Sequence, residues 1–181
     1  NVLIRMGLSE LAQLDLAKAQ EITPDAVDCL LLKARLPGGV KYPSEFIQTI
    51  RQIRNNARLD DLTRAEAAFA MGELFLQLKP QDFRQATVLH SEAIQRAKKA
   101  SESDDLWTRL EAVRLMIDSH LAIAKDISHG DLSDEQKLST VPKWVNIAWS
   151  LTEHLVMNDY HDPMIALHVV HRSLDALTNI T

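Results

Sequence analysis

Apolar side chains recur at helical spacing along almost the whole chain. After Pro43, for example, Phe46, Ile50 and Ile53 follow one another at intervals of three or four residues, which places them on one side of a helix. No segment of the sequence alternates apolar and polar side chains as a half-buried strand does. Prolines and side chains suited to helix capping interrupt the pattern at intervals of about 20 residues. The sequence therefore predicts an all-α fold.

Length and composition favour one soluble domain over residues 1–181. A chain of 181 residues is long enough to bury about 70% of its unfolded surface. Its one cysteine, Cys29, excludes a disulfide framework. No apolar run approaches the roughly 18 residues of a membrane span, and residues 1–9 lack the layout of a signal peptide. We therefore expect a cytoplasmic protein without a membrane partner.

Local signals predict where several helices begin. Residues 63–66, Thr-Arg-Ala-Glu, have the form of a capping box, in which two side chains bond free amides of the first helical turn. A later, long helix is expected to be capped by Ser103 or Asp104. Residues 128–141 have the weakest pattern, with one short turn or helix at most, and Pro142 is expected to begin a new helix after them.

A pattern of small and large residues occurs twice, each time over two consecutive predicted helices. The first helix of each pair carries a small residue between large ones, and the second helix carries one small residue four positions before a larger residue and another three positions after it. The two copies are Ala68-x2-Met71-Gly72-x2-Phe75 with Ala86-x3-His90-x2-Ala93, and Trp144-x2-Ile147-Ala148-x2-Leu151 with Ala166-x3-Val170-x2-Ser173. Small residues allow two helix axes to approach closely, and large residues fill the space beside them.

This pattern resembles the tetratricopeptide repeat, whose helix pair carries Trp-x2-Leu-Gly-x2-Tyr followed by Ala-x3-Phe-x2-Ala. The resemblance covers less than half of the chain, around Gly72 and around Trp144, and it has departures: Ala68 stands for the Trp and His90 for an aromatic residue. It implies antiparallel helical hairpins stacked as a right-handed α-solenoid, with a concave surface for protein partners and no catalytic residues. A compact helical bundle is the alternative architecture.

The candidate binding residues are basic and aromatic. Arg51, Arg54 and Arg58 are three and four positions apart, so on a helix they would form one stripe able to hold carboxylates or phosphates. Trp144 and Trp149 are five positions apart and lie on different sides of their helix, so we expect at least one to be partly exposed. The alternative for the arginines is a solvated helix face, and the alternative for the tryptophans is packing in the core.

Histidines are enriched near the C-terminal end of the sequence. Four of the seven lie in the last 28 positions: His154, His161, His168 and His171. Two of them share a helix face, so the group could form a metal or small-molecule site in a helical-bundle enzyme or sensor. No His-Glu-x2-His pattern occurs, so we favour the interpretation that these histidines are ordinary helix residues that bind no metal. No cofactor is expected.

Charge narrows the expected class of partner. A formal net charge of −5 opposes general nucleic-acid binding, which depends on clustered Lys and Arg. A local basic patch at Arg51, Arg54 and Arg58 leaves an acidic peptide or RNA open as a third hypothesis. The sequence therefore favours a non-catalytic helical-repeat scaffold that mediates protein–protein interaction, and it leaves the identity of the protein or peptide partner and the oligomeric state open.

Overall fold

Eight α-helices and no β-strand make up the part of the chain that the structure describes. This computed structural model describes residues 8–23, 26–36, 38–158 and 163–180. The helices are α1 (Ser9–Ile22), α2 (Val27–Arg35), α3 (Pro43–Asn55), α4 (Asp61–Leu76), α5 (Phe83–Ala100), α6 (Leu106–His129), α7 (Asp134–Asn158) and α8 (Pro163–Thr178). The predicted all-α class is confirmed. No helix within the described ranges combines the length and hydropathy that crossing a membrane requires.

Aspartates cap the starts of the central helices. Asp60 precedes α4 and accepts a hydrogen bond from the backbone N–H of Thr63 at 2.8 Å. The predicted capping box is therefore wrong, because Thr63 lies inside the first turn and its hydroxyl donates to Asp60. Asp105 caps α6 in the same way, accepting from the Thr108 amide at 2.7 Å. The expectation of Ser103 or Asp104 as the cap is wrong by one or two positions. A side chain can accept a hydrogen bond from the amides of the first helical turn only when its residue occupies the N-cap position, which here is Asp105.

Helix α7 begins earlier than predicted and runs through Pro142. Ser133 and Gln136 form reciprocal side-chain to backbone hydrogen bonds at its start. The predicted restart at Pro142 is wrong. Proline removes one backbone hydrogen bond, but the buried Val141 and Val145 pack together in one apolar cluster with residues of α6 and α8. This packing holds the two sides of the proline in a single helix.

The helices pack in sequence order. Each helix from α1 to α8 packs against the next, and the even-numbered helices also make contact in the pairs α2–α4, α4–α6 and α6–α8. The core is accordingly a chain of apolar clusters, each shared by successive helices. The small residues Ala86, Ala93 and Ala148 are fully buried at these contacts. The even-numbered helices thus form one connected layer.

Candidate functional site

Three even-numbered helices meet through a buried ionic group. Arg35, at the end of α2, donates from Nη2 to Oδ2 of Asp118 on α6 at 3.2 Å. The other carboxylate oxygen of Asp118, Oδ1, lies 3.0 Å from Nε2 of His168 on α8. Arg35 and Asp118 are almost completely shielded from solvent, and His168 is partly buried. One carboxylate therefore joins α2, α6 and α8.

Helix α4 contributes an aromatic ring and a second carboxyl group to this region. The guanidinium carbon of Arg35 lies 4.7 Å from the ring centroid of Phe69, within cation–π range. Burial raises the pKa of Glu66; the charges of Asp28 and Glu111 act in the same direction, and that of Arg35 opposes them. The charge of Arg35 thus acts on the carboxyl groups of both Asp118 and Glu66.

A shallow open depression with a volume of about 10 Å³ lies beside this group, between α6 and α8, and it has room for about one water molecule. Its lining residues are Arg114, Ile117, Asp118, Ile165 and His168. Two of these residues are isoleucines, and the other three bring a guanidinium, a carboxylate and an imidazole to the lining. We call this set of five lining residues the α6–α8 depression. A polar or charged group at the tip of a partner's side chain can contact this lining, but the depression is too small to admit a whole side chain.

A second buried polar pair joins α5 to α6. Nδ1 of His90 lies 2.8 Å from Oδ2 of Asp126, and both side chains are completely buried. On the other side of the imidazole, Nε2 lies 3.6 Å from a carboxylate oxygen of Glu73 on α4. Burial raises the pKa of Asp126, and the interaction with His90 opposes that shift. His90 thus fills an interhelical position with a polar ring.

The three candidate arginines do not form one helix stripe. Helix α3 ends at Asn55, so Arg58 lies beyond it, and its backbone amide donates to the Asn56 side chain. Arg51 is exposed and contacts Gln48. The partly buried Arg54 has Nε 3.4 Å from a carboxylate oxygen of Glu92 on α5. Their proposed role in binding stays a prediction.

The two candidate tryptophans lie on α7 in different surroundings. Trp144 is half-buried and its ring centroid lies 5.5 Å from that of His120. Trp149 is 38% exposed, as the five-residue spacing leads one to expect for one of the pair. A role for either tryptophan in binding a partner stays a prediction.

The candidate histidines have different surroundings in the described structure. His168 bonds Asp118, whereas His154 and His171 are exposed, and His161 lies outside the described residues. Among the residues that the structure describes, no group of three or more His, Cys, Asp or Glu side chains is placed to hold a metal ion.

Sequence reasoning missed the pairings that organise this region. Arg35 and Asp118 are 83 positions apart, and His168 is 50 positions from Asp118, so local spacing carries no sign of either contact. His90 is different, since it occupies the large-residue position of a helix expected to face Gly72. A polar residue at such a position was the available signal for a buried polar pair.

Comparison with known proteins gives no match: no protein-family model, no curated protein and no solved structure is significantly similar to this chain. The function of this chain is therefore inferred from the geometry of its described residues.

Proposed function

We propose that the chain is a non-catalytic helical-repeat scaffold that binds a protein or peptide. The observation that carries this proposal is the packing order: each helix contacts its successor, and the even-numbered helices contact one another. Packing between sequence neighbours is characteristic of solenoid repeats, in which helix pairs stack and leave one continuous surface for partners. In a compact helical bundle with one central core, helices do not have to pack in the order in which they follow one another in the sequence.

In the proposed tetratricopeptide-like arrangement, the even-numbered helices are the first members of the hairpins α2–α3, α4–α5 and α6–α7. The copy of the motif around Gly72 fits this scheme, because α4 would be a first helix and α5 its partner. The copy that begins at Trp144 lies on α7 and α8, one helix out of phase with the first. The solenoid proposal therefore rests on the packing order and on the Gly72 copy.

The partner-binding surface that we propose is the layer of even-numbered helices, centred on the α6–α8 depression. His168 and Arg114 border this opening and are held by ionic neighbours, Asp118 for the histidine and Glu111 for the arginine. Held side chains lose little conformational freedom when a partner binds, which favours affinity. We expect the partner segment to bring a charged side chain to this opening.

Selection from a random peptide display library, with the purified chain as bait, tests the proposed function. Selected peptides should bind the His168→Ala variant at least about tenfold more weakly than the unaltered chain. His171→Ala is the matched control, since His171 is exposed on the same helix, three residues away, and its removal should leave affinity unchanged. Failure to select any peptide, or equal loss of binding in both variants, would count against the proposal. Circular dichroism of both variants checks that α8 is retained.

A further inference from the structure

An ionic network joins the end of α3 to α4 and α5. Glu92 on α5 accepts a hydrogen bond from Nε of Arg96 at 2.9 Å and lies 3.4 Å from Nε of Arg54 on α3. Nε of Arg64 on α4 donates to the Arg54 carbonyl at 3.3 Å. Asp61 completes the set, which we call the α3–α5 network: Arg54, Asp61, Arg64, Glu92 and Arg96. It contains three cations and two acids, and each of its side chains is partly exposed.

Two arginines of this network converge on one weakly held carboxylate. Nη1 of Arg64 lies 3.8 Å from Oδ1 of Asp61, and Nη1 of Arg96 lies 4.0 Å from the same oxygen. Both distances exceed the range of a hydrogen bond. The Asp61 side chain is also the most exposed of the network, at 40%. Asp61 is therefore easily displaced from its place between the two guanidinium groups.

The same two guanidinium groups are held through Nε and open at their terminal nitrogens. Nε of Arg64 bonds a backbone carbonyl, and Nε of Arg96 bonds Glu92. Over the residues that the structure describes, the terminal nitrogens of these two arginines donate no hydrogen bond. Guanidinium groups suit paired hydrogen bonds to phosphate or carboxylate oxygens. Because both groups are already held, little conformational freedom is lost when such a ligand binds.

The charge at this point favours a dianion over a carboxylate. A carboxylate from outside has one negative charge and two acceptor oxygens, so it only repeats what Asp61 already offers. A phosphate monoester carries about two negative charges near neutral pH and has three acceptor oxygens. It can therefore bond both arginines at once and bind more strongly than the carboxylate it displaces. The neighbouring Asp60 does not compete, because its carboxylate bonds the Thr63 amide and hydroxyl.

We propose that Arg64 and Arg96 form a binding site for phosphate monoesters, with Asp61 as an internal ligand that the phosphate displaces. Glu92 and Arg54 are positioning residues, since the Glu92 carboxylate holds Arg96 and the Arg54 carbonyl holds Arg64. Other helices form the α6–α8 depression, so this site is independent of the proposed peptide-binding surface. A phosphorylated side chain and a small phosphate-bearing molecule share this chemistry.

Titration with inorganic phosphate, followed by calorimetry and by NMR of the arginine Nε–H groups, is the first measurement. Phosphate should bind one to one and shift the Nε–H signals of Arg64 and Arg96, whereas acetate at equal concentration should not. Arg96→Gln should weaken phosphate binding at least about tenfold, because it removes charge-assisted hydrogen bonds. Absence of binding at millimolar phosphate, or binding of acetate as tight as that of phosphate, would overturn the proposal.

Asp61→Asn gives the sharper result, because this variant should bind phosphate more tightly. The substitution keeps the size of the side chain and removes the internal competitor with its negative charge. Phosphate affinity should rise about three- to fivefold, the factor that an exposed ion pair usually contributes. Unchanged or weaker binding would mean that Asp61 does not occupy the position of the ligand, which would contradict the proposal.

Two control variants separate a local site from a general effect of charge. Lys98→Gln removes one positive charge at an exposed position of α5, two residues from Arg96, and should leave phosphate affinity unchanged. Asp104→Asn removes one negative charge from the exposed segment before α6 and should not strengthen binding. Effects in these controls equal to those in the site variants would overturn the site. Circular dichroism checks that all four variants keep their helices.

A phosphoserine peptide identifies the source of the phosphate. A pentapeptide with phosphoserine between glycines is compared with inorganic phosphate and with the same peptide carrying glutamate instead. Tighter binding of the phosphopeptide than of inorganic phosphate would support the site and assign it to a phosphorylated protein. Equal or weaker binding of the phosphopeptide would support the site and assign it to a small phosphate-bearing molecule. Equal binding of the glutamate and phosphoserine peptides would contradict the preference for phosphate.

Discussion

At the residue scale, the contact between Gly72 and His90 shows how a polar ring is accommodated between packed helices. His90 is completely buried and its ring centroid lies 5.0 Å from that of Phe69. A Cβ atom on Gly72 would lie 2.4 Å from Nε2 of His90. Because Asp126 bonds the opposite nitrogen, the ring has little freedom to move away. Glycine is therefore required here by space and not by backbone conformation.

Gly72→Ala should destabilise the protein by about 1–3 kcal/mol, the usual cost of overpacking a filled interior. The sign is informative, because in a helix without this contact the same change would stabilise by roughly 0.5–1 kcal/mol. The free energy of unfolding from urea titration is the measurement. An increase in stability would contradict the close approach of α4 and α5 at this position.

His120 should make folding stability sensitive to pH near neutrality. Burial lowers its pKa below 6.5, and a hydrogen bond with the Met116 carbonyl, at 2.6 Å, partly opposes that shift. The unfolded chain therefore binds a proton that the folded chain does not, so stability falls as pH falls through 6.5 towards the folded pKa. Over this pH range the unaltered chain should lose more stability than the His120→Gln variant, which lacks the titrating ring. An NMR titration in which the His120 ring had its midpoint at or above 6.5 would contradict this expectation.

At the scale of the helix, two starts share one local device. Asp60 and Asp105 each accept hydrogen bonds from both the backbone amide and the hydroxyl of a threonine three residues later. Burial would raise the pKa of Asp60, but hydrogen bonds from Thr63 and from the backbone amides of Asp60 and Leu62 together outweigh it and lower that pKa below 3.8. Its capping contribution is consequently present above pH 3.8 and is lost as pH falls through the folded value.

Asp60→Ala should lower the free energy of unfolding by about 1 kcal/mol, within the usual range for loss of an N-cap. Its neighbour Asp61 is the matched control, since Asp61 makes long ion pairs with Arg64 and Arg96 at a partly exposed position. Asp61→Ala should change stability by less than about 0.5 kcal/mol. Urea titrations of both variants at neutral pH provide the comparison, and equal costs would show that the cap had been wrongly assigned.

The existence of helices was predictable from the sequence, and their boundaries less so. Apolar spacing depends on local geometry, so it indicates a helix before any tertiary contact is known. Asp60 and Thr63 near the start of α4, and Asp104 and Asp105 before α6, can all act as capping acceptors, and spacing alone does not distinguish such neighbours. The continuity of α7 through Pro142 depends on packing of Val141 and Val145 beside α6 and α8. Local signals contain no information about that packing.

At the scale of the whole molecule, the contacts that define the candidate site are also the ones that the sequence did not reveal. His168 was predictable as part of a histidine-rich helix, yet its observed partner is a carboxylate on α6. Arg35 was not among the residues that the sequence indicated as candidates for binding. Tertiary packing buries it against Asp118. The site thus arises from the order in which helices stack, and residue spacing within a helix does not determine it.

The buried Arg35–Asp118 pair allows a test of this long-range organisation. Asp118→Ala would leave a guanidinium in a site where the two side chains are 8% and 7% exposed, and removal of one partner from a buried pair usually costs about 3–5 kcal/mol. The ion pair of Lys125 with Asp175 has the same 3.2 Å separation but exposures of 37% and 39%. Asp175→Ala should therefore cost less than about 1 kcal/mol.

Urea unfolding of Asp118→Ala and Asp175→Ala measures the difference, and hydrogen exchange locates it. In Asp118→Ala, amide protection should fall in α2 and α8 as well as in α6, because the one carboxylate contacts all three helices. In Asp175→Ala, protection should fall little anywhere, since solvent already screens that pair. Equal losses of stability in the two variants would mean that burial of Asp118 contributes nothing to the cohesion of the even-numbered helices.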